Sequence, residues 1–104
     1  MKSVKDFLYG LPAKANPAVL EGLHTRFHFD IADSGQYTVV LEDGKINVSG
    51  GLEGAPTCVV KSTEDAFSKV IRGDLNPMMA MMTGKLKISN PGEMLKYAKM
   101  FGLM

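Results

Sequence analysis

The sequence has little cysteine, little net charge and no long apolar run, and each shortage excludes a class of protein. One cysteine, Cys58, cannot build a disulfide framework, and a formal net charge of +1 is far from the basic balance of nucleic-acid-binding proteins. No apolar run approaches the roughly 20 residues of a membrane-spanning helix, and the N-terminus lacks the apolar segment of a secretion signal. We therefore expect a cytoplasmic protein with no nucleic-acid partner.

The chain does have the composition of one globular domain. Its 104 residues are 45% hydrophobic and 22% charged. A chain of this length buries roughly 65% of its unfolded surface, which is enough for a core without disulfides or metal. We expect residues 1–104 to form a single domain.

Alternation of apolar and polar residues predicts strands in the middle of the chain. From Thr25 onward apolar side chains recur at every second position, and Asp43-Gly44 is a strong hairpin signal. Strands are predicted at residues 25–31, 37–42, 46–48, 57–61 and 85–89. Because they alternate so cleanly, one face of the sheet should be wet and the helices should pack on the other.

Capping residues and apolar residues at helical spacing predict helices on both sides of these strands. Ser3 and Ser62 each precede an aspartate by three residues, in the form of a capping box, and Pro12 should stop the first helix. Helices are predicted at residues 3–11, 16–24, 62–73, 76–83 and from residue 90 onward. The chain is therefore predicted to have an α+β fold.

Candidate catalytic and metal-binding groups do not assemble into a site. His24 and His28 are four residues apart, but strand geometry separates them by about 13 Å, so they are interpreted as surface histidines and not as zinc ligands. Cys58 falls on the inward face of its strand and is interpreted as a small buried hydrophobe. The glycine-rich residues 50–54 lead into a strand and not into a phosphate-binding helix. We expect no enzymatic activity, no catalytic residue, no bound metal and no cofactor.

Methionine is the most unusual component of the sequence. There are eight methionines, and four of them fall within residues 78–82. Their flexible thioethers suit both irregular cores and apolar surfaces that accept ligands of varied shape. Because this short helix is apolar on every face, it should line a cavity, meet another helix or face a partner.

Two motifs make the chain resemble the sterol carrier protein 2 family. They are Gly-Asp-Leu-Asn-Pro at residues 73–77, followed by Ala80, and Gly-Lys-Leu-Lys-Ile at residues 84–88. The likeness extends from about Leu20 to Lys96, and the chain is identified as a stand-alone member. The C-terminal Gly102-Leu103-Met104 differs from a peroxisomal Ser-Lys-Leu signal, in agreement with a cytoplasmic location.

The resemblance implies a five-stranded, mainly antiparallel sheet with helices on one face. It also implies an apolar tunnel between the sheet and the helices, which holds a fatty acyl chain, acyl-CoA, sterol or similar lipid. The implied function is that of a lipid carrier without catalytic activity. By position, the tunnel would be lined by these residues: Phe67, Ile71, Leu75, Met78, Met79, Met82, Thr83, Met94, Ala98 and Phe101.

Two further partners are predicted from surface features. Lys85, Lys87, Lys96 and Lys99 make the C-terminal region basic, which favours transient contact with an anionic membrane. As an alternative to the carrier function, the apolar helices would form a homodimer or dock on a lipid-handling enzyme as an accessory module.

Overall fold

The computed structural model describes residues 4–14, 22 and 24–93 of the chain. A helix, α1 (Val4–Tyr9), and a 3-10 turn (Leu11–Lys14) precede the sheet. The strands are β1 (Thr25–Ile31), β2 (Gly35–Glu42), β3 (Lys45–Gly50), β4 (Cys58–Ser62) and β5 (Leu86–Ile88). Two helices, α2 (Glu64–Arg72) and α3 (Pro77–Met82), lie between β4 and β5 in the sequence, and a further helix begins at residues 91–93. The helix predicted at residues 16–24 falls almost entirely outside the described residues.

The five strands form one mixed sheet in the order β3-β2-β1-β4-β5. The first three strands make an antiparallel meander, β1 and β4 are parallel, and β4 and β5 are antiparallel. Asp43 and Gly44 adopt positive φ angles of 52° and 72° in the β2–β3 hairpin, as this turn requires. The predicted α+β fold with a mainly antiparallel five-stranded sheet is confirmed.

The face of the sheet that carries the helices holds an aromatic core centred on Phe67 of α2. The Phe67 ring meets Phe29 of β1 at 5.8 Å between centroids and Phe7 of α1 at 6.3 Å, both in edge-on arrangements. Such pairs add about 0.5–1.5 kcal/mol each beyond the burial of their area. Val4 of α1 also donates its backbone N–H to Glu64 Oε1 of α2 at 3.0 Å. One ring therefore joins both helices to the sheet.

The opposite face of the sheet is covered in part by the connection between β3 and β4. Because these strands lie on opposite sides of β1 and β2, residues 51–57, the crossing loop, must pass over both. Thr38 Oγ1 donates to the carbonyl of Gly51 at 2.7 Å and accepts from the N–H of Glu53 at 2.9 Å. The ring of His28 donates from Nε2 to the carbonyl of Glu53 at 2.8 Å.

The crossing loop overturns two predictions about this second face. His28 was predicted to be a surface histidine, but it is 6% exposed because the loop lies over it. Thr38, on the face expected to be wet, is 1% exposed for the same reason. The alternation of residues within one strand predicts which side chains share a face. It does not predict that a loop from elsewhere in the chain covers that face.

Two helix boundaries also differ from the prediction. The first helix ends at Tyr9 and not at Leu11, because the ring of Pro12 would clash with the carbonyl of Leu8 in a continued helix. The N-cap of α2 is Thr63, whose Oγ1 accepts from the N–H of Ala66 at 3.1 Å. Ser62, the predicted cap, is the last residue of β4 and donates to the Lys85 carbonyl at 3.1 Å.

Replacing Thr38 with valine tests whether the crossing loop stabilises the sheet. Thr38→Val keeps the shape of the side chain but removes both hydrogen bonds, so we expect the free energy of unfolding to fall by about 1–3 kcal/mol. The urea midpoint measures this loss. Thr57→Val, at an exposed residue of the same loop, is the matched control and should change stability by less than about 0.5 kcal/mol. Equal effects of the two variants would contradict this role of Thr38.

Candidate functional site

The candidate site is built on the turn that joins α2 to α3. Gly73 ends α2 in the left-handed conformation with φ of 81°, which lets the chain reverse at once. Asn76 then caps α3 by accepting from the N–H of Met78 at 2.8 Å, and Pro77 occupies the first turn of the helix. The Gly-Asp-Leu-Asn-Pro motif thus ends one helix and starts the next within five residues, as predicted.

Helix α3 directs few of its side chains into the core. Ala80 is fully buried and Met81 is half-buried against the core. In contrast, Met78 and Met79 are each 53% exposed, and Met82 is 80% exposed. Soluble proteins seldom place several large apolar side chains together on the surface without a binding role.

The other predicted lipid-contacting residues lie at different depths. Phe67 is 1% exposed, while Ile71 and Leu75 are half-buried at the edge of the core. Thr83 is exposed, and its hydroxyl donates to the carbonyl of Met79 at 2.9 Å, so it caps α3 locally. Ile71 and Leu75 therefore provide a partly covered apolar surface next to α3. The remaining predicted contacts, Met94, Ala98 and Phe101, lie outside the described residues.

A groove that the sequence analysis did not predict lies beside these elements. It has a volume of about 390 Å³ and is lined by β4, the first turns of α2, the α2–α3 turn and β5. Its lining residues are Ala32, Lys61, Ser62, Thr63, Asp65, Ala66, Lys69, Leu75, Gly84, Lys85 and Lys87. Among them, Leu75 is the one predicted as a lipid contact. Lys61 and Lys87 come together because β4 pairs with β5, a contact that the sequence pattern alone does not reveal.

Cys58 lies on the helix-bearing side of the sheet, and its thiol is expected to be unreactive. Its side chain is fully buried, and the Sγ donates to the carbonyl of Asn90 at 3.6 Å. Burial raises the pKa of the Cys58 thiol above its ordinary value, despite weaker opposing effects of hydrogen bonds to Asn90 and Ser89. The thiol therefore remains protonated at neutral pH, as expected of a core residue.

The described residues contain no group of three or more His, Cys, Asp or Glu side chains placed to hold a metal ion. His28, one of the two histidines tested as ligands, is engaged with the carbonyl of Glu53. No helix within the described ranges combines the length and apolar character needed to cross a bilayer.

Comparison with known proteins gives a consistent match. A model of the SCP-2 sterol transfer family matches residues 4–103. Hydroxysteroid dehydrogenase-like protein 2 from Xenopus tropicalis is 38% identical over 74 residues, which cover 69% of this chain. The chain spans 18% of the length of that relative.

Solved structures repeat the same fold at low sequence identity. The sterol carrier protein domain 2 of Helicoverpa armigera superposes with a TM-score of 0.78 at 20% identity, covering 94% of this chain and 84% of that domain. Palmitated SCP2L2 from Aedes aegypti superposes with a TM-score of 0.69 at 18% identity, covering 91% of this chain and 92% of the other. These likenesses establish the architecture.

The reactivity of Cys58 tests its burial. Because the native thiol is enclosed and protonated, we expect iodoacetamide at pH 8 to modify it at least about 100-fold more slowly in the folded protein than in urea. Mass spectrometry of the alkylated chain over time measures both rates. Similar rates in the two states would mean that the site around β4 opens readily and that Cys58 is accessible.

Proposed function

Because the chain belongs to the SCP-2 sterol transfer family, we propose that it carries one lipid with a long apolar chain and does not alter it chemically. The proposed ligand classes are fatty acids, acyl-CoAs and sterols. Membership of the family supports lipid binding in general. The observation that carries this proposal is α3, which leaves three methionines more than half exposed beside the half-buried Ile71 and Leu75. The proposal involves no cofactor. The cytoplasmic location of the protein remains a prediction.

We place the lipid between α2 and α3, on the helix-bearing side of the sheet. Ile71 and Leu75 would form the wall nearest the core, and Met78, Met79 and Met82 would close over the chain from the surface. Phe67 would contact the lipid only at its deepest point, because the ring is already packed against Phe7 and Phe29. Thr83, together with Met94, Ala98 and Phe101 outside the described residues, completes the proposed contact set.

Apolar burial supplies the affinity in this arrangement. Removing 300 Å² of acyl chain from water is worth roughly 7 kcal/mol at about 25 cal/mol per Å², before the costs of association. Methionine side chains adapt to chains of different length and shape, so the carrier should discriminate weakly among acyl lipids. Exchange of such a ligand with anionic membranes is part of the proposed function.

Titration with a fluorescent fatty acid tests the carrier function. We expect saturable binding with micromolar or tighter affinity by the delipidated protein, because most of the ligand surface would become buried. Absence of saturable binding by any long-chain lipid would refute the proposal. Native mass spectrometry of the purified protein identifies whatever lipid it has retained.

Variants of α3 separate ligand contacts from the core. Met79→Gln or Met82→Gln should weaken fatty-acid binding about tenfold, equal to ~1.4 kcal/mol, while the melting temperature of the empty protein changes little, since an exposed amide remains hydrated. Leu52→Gln is the matched control: Leu52 is also exposed, at 41%, but lies in the crossing loop, and its replacement should leave affinity unchanged.

A core variant calibrates that measurement. Leu86 is 3% exposed on the inward side of β5, so Leu86→Gln buries an unpaired amide and should strongly destabilise the domain. Equal destabilisation by Met79→Gln, Met82→Gln and Leu86→Gln would show that the methionines belong to the core.

A second function is favoured by the relative that this chain matches. The hydroxysteroid dehydrogenase-like protein is more than five times the length of the matched region, so a domain of this kind occurs there as part of a larger protein. The same exposed methionines would then dock on an enzyme or on a second copy of the chain. Size-exclusion chromatography before and after delipidation separates the carrier from a self-pairing module. The fraction of dimer should rise on removal of lipid only if the exposed methionines of α3 pair with those of a second copy.

A further inference from the structure

Arg26 of β1 carries a positive charge on the face of the sheet that the crossing loop covers. It alternates onto the same face as His28, two residues further along the strand. Its direct neighbours are Val40 in β2 and Thr57, whose N–H donates to the Arg26 carbonyl at 2.8 Å. Arg26 is half-buried, its Nε is enclosed without an acceptor, and no carboxylate among the described residues lies within ion-pair distance of it. A partly buried charge without a partner is unfavourable, so an anion that reached it would be stabilised.

Two acidic side chains near Arg26 in the fold do not neutralise its charge. Glu42 of β2 is diagonal to Arg26 and stands directly opposite Lys45 of β3 in the strand register. Glu53 lies in the crossing loop, where its side chain is exposed. Neither carboxylate forms an ion pair with Arg26. The charge of Arg26 therefore has no compensation from the described part of the chain.

The backbone of Gly54 in the crossing loop packs against the Arg26 guanidinium. It approaches so closely that a Cβ at Gly54, whose φ is +68°, would overlap Nη1 and Cζ of Arg26. Gly51 in the same loop has a similar φ of +88°, but a Cβ there would meet nothing within 4 Å. The contact with Gly54 limits where the guanidinium can lie, and a donor held in place binds an anion more tightly than a mobile one.

A pocket of about 200 Å³ adjoins Arg26 near the start of β1. His24 and Thr57 also line it, and neither side chain makes a hydrogen bond within the described ranges. An imidazole N–H and a threonine hydroxyl are both hydrogen-bond donors. Together with Arg26 they bring three donor side chains to one pocket, against the single carboxylate of Glu42. The volume suits a small ion and is below the usual range for larger organic ligands.

We propose that Arg26, His24 and Thr57 bind a small oxyanion, namely the carboxylate or phosphate group of a ligand from outside the chain. The planar guanidinium matches the spacing of the oxygens in such groups, and hydrogen bonds to charged oxygens are stronger than neutral ones. Glu42 lines the same pocket and repels an anion, so we expect an affinity in the millimolar range. The site lies across the sheet from α2 and α3, and it does not depend on the proposed carrier function.

Nuclear magnetic resonance of the Arg26 side chain tests the site directly. The sequence contains two arginines, Arg26 and Arg72, so the protein has two arginine Nε–H signals. Replacing chloride with inorganic phosphate or acetate at constant ionic strength should shift the Arg26 signal saturably. Arg72 is the internal control, because its Nε lies 3.5 Å from Asp74 Oδ2, and its signal should change little. The anion that saturates the Arg26 signal at the lower concentration identifies the bound group as phosphate or carboxylate.

Two glycine variants of the crossing loop test the geometry without changing the charge. Gly54→Ala displaces the guanidinium and should lower the affinity for the tighter-binding anion at least about fivefold. Gly51→Ala adds the same methyl group at a similar φ but away from Arg26, and should change the affinity less than about twofold. Arg26→Lys keeps the charge but lacks the planar fork, and should weaken binding about fivefold. Equal effects of the two glycine variants would overturn the proposal.

Three other outcomes would also refute the oxyanion site. An Arg26 signal that does not move in phosphate or acetate would show that neither anion binds, and equal shifts of Arg26 and Arg72 would show a general effect of the buffer. A shift caused by Glu42→Gln in chloride alone, as large as that caused by phosphate in the unaltered chain, would show that Glu42 already neutralises Arg26. If a glycine variant fails to fold, the titration of the unaltered chain and of Arg26→Lys decides the question.

Discussion

The parallel pairing of β1 with β4 determines where the later elements of the chain lie. It sets Phe27 opposite Cys58 and Phe29 opposite Val60, so the inward side chains of both strands join one core. Because β3 ends at the far edge of the sheet, the chain must cross β2 and β1 to reach this position. The crossing loop, the burial of His28 and the place of α2 above β1 all follow from that single connection.

The same pairing brings the candidate site together. Once β4 lies beside β1, its other side is open, and the chain returns through α2 and α3 to place β5 there. Phe67 holds α2 on the sheet through Phe29, whereas within the described residues α3 is held by the small side chain of Ala80 and by the half-buried Met81. A helix of six residues is not stable by itself in water, so its end caps and these two side chains contribute to holding it. The element with the most exposed apolar surface is thus also among the most weakly attached.

The sequence predicted those features that depend on local chemistry. The Asp43-Gly44 turn, the Asn76 cap and the inward direction of Cys58 and Leu86 all follow from a few neighbouring residues, and the structure confirms each one. The prediction of Ser62 as the cap of α2 was wrong, because Ser62 stays in β4 and bonds across to Lys85 next to β5, which leaves Thr63 to cap the helix. The groove lined by β4, α2 and β5 was missed for the same reason, since Lys61 and Lys87 meet only after β5 has been added to the sheet. Met78, Met79 and Met82, which were predicted as lipid contacts, lie on the surface of α3. Their role in lipid binding stays a prediction.

The short, charged strand β5 also bears on the solubility of the protein. In the order β3-β2-β1-β4-β5 it is an outer strand, and the described part of the chain leaves its outer side open to a further strand. Such an edge is a template for pairing between molecules, which proteins discourage with very short strands and with lysine. β5 has three residues, and Lys87 stands at its centre. Lys87 therefore helps to keep separate copies of the sheet from joining into an extended β-structure.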